Sequence, residues 1–188
     1  MKKILLSAVV VSMFAGSSMA ADYKLDPMHS NARFNIDHFG TTTNHGGFYN
    51  IEGNVSFDPA KKTGSVEVVI PVTSLNTGVE AFDNHMKSAD LLDVAKFADI
   101  TFKSTEWVFN GDKPAEIKGE LTMMGKTNPV TLKATKFSCY DNPMFKAEVC
   151  GGDFTATIDR TQWGVDFLVD MGMTKDVVLQ IQVEAVKQ

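Results

Sequence analysis

The chain has 188 residues, which is enough for one domain with a sizeable hydrophobic core. It contains 23 acidic and 18 basic residues, giving a net charge of −5. This balance argues against nucleic acid as a partner, because a phosphate-binding face requires clustered lysine and arginine.

The first 20 residues have the pattern of a secretory signal peptide. Lys2 and Lys3 provide the positive start, residues 4–15 are apolar, and Ser18 and Ala20 supply small side chains before the cleavage site. The pattern predicts export with cleavage near Ala20, and a periplasmic location if the cell is Gram-negative. The apolar run is shorter than the roughly 20 residues of a membrane span, and no later stretch is apolar enough to cross a membrane, so a soluble product is expected.

Residues 21–188 are expected to form one domain made mainly of β-strands. Apolar and polar residues alternate with a period of two in about eight segments, which are separated by turn residues. This pattern predicts an all-β barrel or sandwich. Helical residues are scarce, and the candidates are a short helix within residues 77–88 and a turn near residues 161–168.

The inward faces of these strands leave two interpretations open. Thirteen Phe and ten Met residues are present, and many lie on the alternating apolar faces, where they can pack a core or line an adaptable cavity. Gly53, Gly119 and Ala134 are small inward residues that favour a cavity. A barrel of about eight strands can be filled or can hold one small ligand.

Cys139 and Cys150 are the two cysteines of the chain. In an exported protein such a pair is typical of a disulfide, and the turn residues 140–144 place the two across a hairpin. The spacing differs from the C-x-x-C of redox pairs, so a structural disulfide is predicted.

Few residues suggest chemistry. His29 with Asp26 and His85 with Asp83 could be metal ligands by type, but neither pair has the spacing of a known zinc motif. No nucleophile motif, phosphate-binding glycine loop or dinucleotide fingerprint is present, so no catalytic residue, metal or cofactor is predicted. Arg160 could bind an anionic head group, although such an arginine more often pairs with a neighbouring carboxylate.

Several short motifs occur in a characteristic order. They are Tyr23-x-Leu25-Asp26-x-x-His29-Ser30, Phe34-x-Ile36-x-His38-Phe39-Gly40, Gly53-x-Val55-x-Phe57-Asp58, Asp83-x-His85-Met86-Lys87-Ser88-x-Asp90, Gly119-x-Leu121-Thr122-x-x-Gly125 and Asp159-Arg160-Thr161-Gln162-Trp163-Gly164. Each is weak alone, but in this order and spacing, from Tyr23 to Ala185, they resemble the YceI family of exported lipid-binding proteins.

The resemblance implies a fold and a ligand. It implies an extended lipocalin-like antiparallel β-barrel with a long apolar pore for a polyisoprenoid, such as a polyprenyl phosphate or a quinone tail, or for another amphipathic lipid. It implies no catalytic residues. Family members are often dimeric and are associated with stress conditions and membrane b-type cytochromes, so a homodimer and a b-type cytochrome are the protein partners implied. The hairpin of Cys139 and Cys150 departs from commoner members.

The predicted ligand-binding residues follow from this resemblance and from the alternating pattern. The candidates for the wall are Phe34, Ile36, Phe48, Val55, Phe57, Val68, Ile70, Phe102, Leu121 and Leu132. The candidates for a helical lid are Phe82, Met86 and Leu91, and His85 and Arg160 are candidates for contacts with a head group.

Two alternatives stay open. A structural or stress-related module with a filled core would have no cavity. An enzyme acting on a lipid or quinone would use Asp83 and His85 as a polar pair, both directed into the pore.

Overall fold

The computed structural model describes residues 20–188, so the predicted signal peptide, apart from Ala20, lies outside the described residues. Within this range the chain forms eleven β-strands and one short α-helix. The strands are β1 (Ala21–Leu25), β2 (Asn31–His38), β3 (Thr42–Phe48), β4 (Glu52–Asp58), β5 (Thr63–Pro71), β6 (Leu75–Asn76), β7 (Asp99–Asn110), β8 (Lys113–Met123), β9 (Lys126–Asn142), β10 (Ala147–Asp159) and β11 (Asp176–Lys187). The helix is α1 (Glu80–Met86), and 3₁₀ turns span Val72–Ser74, Arg160–Trp163 and Val169–Met171.

Eight of these strands close into an antiparallel barrel. The order around the ring is β1, β4, β5, β7, β8, β9, β10 and β11, and β11 pairs with β1 to complete it. The remaining strands β2, β3 and β6 extend the sheet from the other half of β11. The predicted all-β barrel of about eight strands with a short helix is therefore confirmed.

Strand β11 pairs with two strands along the same edge. Its first half, Val177–Gln182, pairs with β2, and its last residues pair with β1. The connection between β1 and β2 is held to β11 because the amide of Asp26 and the hydroxyl of Ser30 both donate to the carbonyl of Glu184. The first described strand and the connection after it are thereby fixed to β11.

One part of the barrel interior is filled by aromatic side chains. The ring of Phe57 lies 6.0 Å from that of Trp107, 6.2 Å from Phe109 and 5.4 Å from Phe137, measured between ring centroids. Trp107 lies against Gly64, where a methyl group would overlap the indole carbons. We call Phe57, Trp107, Phe109 and Phe137 the aromatic cluster.

The small inward residue Gly119 has a different role from the one expected. A methyl group at Gly119 would overlap the ring of Phe102, so the ring occupies the space that the glycine leaves. The prediction that Gly119 contributes empty space to a cavity was wrong, because the neighbouring strand supplies a side chain that fills it.

Cys139 and Cys150 form a disulfide across the β9–β10 hairpin, as predicted. The two residues are directly opposite each other in the ladder, and the turn that joins the strands comprises residues 143–146. The bond therefore fixes the register near the tip of the longest hairpin.

Helix α1 has seven residues and lies between β6 and β7. It falls within the predicted range 77–88. Among the described residues, no helix has both the length and the apolar composition needed to cross a membrane.

Candidate functional site

An apolar cavity of about 270 Å³ lies inside the sheet beneath α1. Its wall comes from β2, β3, β5, β7, β8, β10 and β11, and its cover comes from α1, residues 91–92 and the segment 165–173. The volume lies just below the range of about 300–1,000 Å³ that is typical of small-molecule sites. Aliphatic and aromatic side chains dominate the lining, so the cavity suits an apolar group.

Ten of the fifteen predicted ligand-binding residues line this cavity. They are Phe34, Ile36, Phe48, Ile70, Phe82, His85, Met86, Leu91, Leu121 and Arg160.

The other five predicted residues do not line the cavity. They pack in the two apolar clusters of the core, and they are Val55, Phe57, Val68, Phe102 and Leu132. Alternation along a strand sets which face a side chain is on. It carries no information on whether that face meets empty space or another ring.

Two groups of lining residues were not among the predicted site residues. Val177, Leu179 and Ile181 of β11 could have been included, because they follow the same period of two as the residues that were. The segment 165–173 supplies Val165, Phe167, Leu168 and Met173 and has no periodicity that could have indicated this role.

Polar side chains lie at the opening of the cavity. The exposed His38 and the half-buried Asn44 and His85 are part of the lining. The ring of His85 contacts that of Phe167 edge to face, with 5.1 Å between centroids. This contact joins α1 to the segment 165–173 across the cavity.

Asp83 has a structural role at the start of α1. Its Oδ1 accepts hydrogen bonds from the amide and the hydroxyl of Thr77, at 2.7 and 2.6 Å. The hydrogen bond from the Thr77 hydroxyl is the main reason why the pKa of Asp83 lies below its usual value. His85 lines the cavity and Asp83 does not. The two residues therefore do not face the cavity together, contrary to what the enzyme alternative expected.

Arg160 is buried, and each of its three side-chain nitrogens donates to a backbone carbonyl. Its Nε donates to Thr174, and its two terminal nitrogens donate to Val165 and Phe167, at 2.9–3.1 Å. Burial lowers the pKa of Arg160, and the nearby carboxylates of Asp166 and Asp159 oppose that shift. The guanidinium thus holds the segment 165–174 in place instead of pairing with a single carboxylate.

The residues around Arg160 anchor the same segment. The side chain of Asp159 accepts from the amide and hydroxyl of Thr161 and lies 2.8 Å from the ammonium of Lys175, whose hydrogen bond is the main reason why the pKa of Asp159 is about 2. Trp163 is buried and donates from Nε1 to the carbonyl of Leu121. Gly164 then has φ of 81°, a left-handed conformation that favours glycine.

Among the described residues, Asp26, His29 and Glu184 form a group of potential metal ligands, with one ligand atom from each lying within 4.8 Å of the others. Both oxygens of Asp26 already accept hydrogen bonds within the connection, one from the amide of Met28 and one from Nδ1 of His29 at 2.6 Å. Burial opposes ionisation of Asp26, but these bonds lower its pKa overall, and the bond to Asp26 raises the pKa of His29. The group therefore holds the β1–β2 connection.

The fold and the cavity define a class of protein, closed antiparallel barrels with an apolar internal cavity. A family model described as a YceI-like domain matches residues 23–185. The chain belongs to the YceI family.

Relatives of similar length support this assignment. A UPF0312 protein of Pseudomonas putida strain F1 is 39% identical over 177 residues, covering 93% of this chain and 91% of the relative. A UPF0312 protein of Pseudomonas fluorescens strain SBW25 is 37% identical over 194 residues, and the alignment covers all of this chain and all of the relative.

Solved structures show the same fold. The Campylobacter jejuni YCEI protein matches with a TM-score of 0.70 and 24% identity, over 81% of this chain and 90% of that one. A polyisoprenoid binding domain from Saccharophagus degradans matches with a TM-score of 0.67 and 14% identity, over 90% of this chain and all of that domain. At these identities the likeness concerns the fold.

Proposed function

We propose that this protein binds an amphipathic lipid, with an isoprenoid or similar apolar tail inside the barrel and the polar end at the opening. The observation that carries the proposal is the apolar cavity beneath α1. The fold shared with a domain described as polyisoprenoid binding supports the same class of ligand.

The binding energy comes from removing the tail from water. Each buried methylene group contributes about 0.8 kcal/mol, so a tail that fills the cavity needs no strong polar contact for tight binding. His38, Asn44 and His85 lie where the polar end leaves the cavity, and they can donate or accept hydrogen bonds there.

The protein acts as a carrier or sequestering protein and has no catalytic residue in this proposal. Asp83 is bonded to Thr77 and is absent from the cavity lining, which removes the main support for an enzyme. The signal-peptide pattern of the first 20 residues supports a periplasmic site of action. The homodimer and the b-type cytochrome partner stay predictions.

The experiment is a calorimetric titration with farnesol, a short isoprenoid alcohol. Leu179 lines the cavity, whereas its neighbour Val178 is 37% exposed on the outer face of the same strand. We expect Leu179→Trp to occupy part of the cavity and weaken binding at least tenfold, and Val178→Trp to bind like the wild type. Equal binding by all three proteins, or no binding by the wild type, would contradict the proposal.

A further inference from the structure

The cavity extends through only part of the barrel. On β5 and β7 the cross-strand pair Ile70 and Ile100 lines the cavity, and the next inward pair, Val68 and Phe102, does not. Phe102 is buried, and its ring occupies the space beside Gly119 on β8. The floor of the cavity therefore lies between these two pairs.

The floor is held by the neighbouring strand. The ring of Phe102 rests against Gly119, where a methyl group would overlap it and would also approach the carbonyl of Lys103 closely. Leu121, one inward position from Gly119 on β8, lines the cavity and pairs with Phe102. The position of the Phe102 ring is thus set by the absence of a side chain at Gly119.

The aromatic cluster lies beyond the floor, because Trp107 and Phe109 follow Phe102 along β7. Phe57 contacts each of the other three rings at centroid distances of 5.4–6.2 Å, Trp107 also contacts Phe109, and none of the four lines the cavity. Phe57 is buried and the other three side chains are half-buried, and displacing rings that pack on one another costs free energy. A tail that passes Phe102 would have to displace these rings.

We propose that Phe102, supported by the aromatic cluster, sets the length of the tail that this protein accepts. This inference rests on the proposed lipid-binding function. The cavity of about 270 Å³ corresponds to about ten carbon atoms if each occupies nearly the volume of a water molecule, about 30 Å³. The protein selects a tail of about two isoprene units inside the barrel and leaves any further length outside.

The test uses linear primary alcohols from hexanol to hexadecanol with the purified protein. For the wild type, affinity should rise about fourfold per added methylene and reach a plateau near ten carbons. Leu121→Phe adds three carbon atoms to the cavity wall and should move the plateau about three carbons shorter. Phe102→Val removes four carbon atoms from the floor and should move it about four carbons longer.

A matched control separates the floor from general loosening of the protein. Val149 is fully buried but belongs to neither apolar cluster of the barrel interior, so Val149→Ala should lower stability and leave the plateau unchanged. Thermal melting identifies any variant that is not folded. If Phe102→Val does not fold, the shift in Leu121→Phe decides the result.

Each outcome has a defined meaning. A plateau near ten carbons that shifts in the two variants supports the inference. Affinity that keeps rising to hexadecanol in the wild type overturns it and leaves lipid binding intact, because the cluster must then open. Failure of every alcohol to bind overturns the proposed function itself.

Discussion

Arg160 lies at the base of the segment 165–174, which covers one side of the cavity. From the sequence, its expected roles were an anionic head-group contact or an ion pair with a carboxylate. In the structure its guanidinium donates to three backbone carbonyls of that segment. Its contribution to the cavity is therefore to position Val165 and Phe167, which line it.

Substitution of Arg160 by lysine separates these roles, because lysine keeps the charge and loses the planar fork of donors. We expect Arg160→Lys to lower the free energy of unfolding by about 2–4 kcal/mol, since buried carbonyls lose their donors. Amide hydrogen exchange should become faster in residues 165–173 and stay unchanged in β4 and β5. Urea titration and hydrogen exchange measure the two effects.

The outcome that contradicts this role is equally clear. If Arg160→Lys keeps wild-type stability and exchange, the three hydrogen bonds do not hold the segment. In that case a charge-dependent contact with the ligand would become the better explanation of the residue.

At the scale of elements, the strands could be predicted and the extent of the cavity could not. The period of two identified the inward faces of β2, β5, β7, β8 and β11, because alternation follows from strand geometry alone. Ile70 and Val68 share one inward face, yet only Ile70 lines the cavity. The difference depends on depth along the barrel axis and on rings from other strands, which a single strand does not encode.

The segment 165–173 shows a second limit of prediction. Its position over the cavity depends on carbonyl contacts with Arg160 and on the contact of Phe167 with His85. Neither is visible as a periodic pattern. The disulfide was predictable because two cysteines flank a turn in an apparently exported chain.

The β9–β10 hairpin carries the disulfide, whose cysteines are separated by 11 positions. Closing a loop of this size stabilises the folded state by about 3 kcal/mol in the chain-entropy model. We expect the double variant Cys139→Ser, Cys150→Ser to lose about this much in urea unfolding. Dithiothreitol should destabilise the wild type by a similar amount and leave the double variant unchanged.

A wild type that is equally stable with and without the reductant would show that the disulfide adds nothing to the hairpin. The hydrogen bond from Tyr23 to Glu148, near the same end of the barrel, would then be a better candidate for holding it.

At the scale of the whole molecule, the barrel combines a part that holds the aromatic cluster with a part that holds the cavity. The aromatic cluster and the disulfide hairpin lie away from the cavity, while α1 and the segment 165–173 cover it. Folding is thereby supported by one part, and space for a ligand is provided by the other. An empty apolar cavity lowers stability, because its lining lacks packing partners. A bound tail should therefore stabilise the protein.

The central claim is that the cavity holds a lipid, and native mass spectrometry of the protein isolated from its own cells tests it most directly. We expect a mass excess of one small amphipathic molecule per chain, lost on denaturation and identified as a lipid after organic extraction. A clean mass for the protein alone, with no uptake of added farnesol or decanol, would contradict the account.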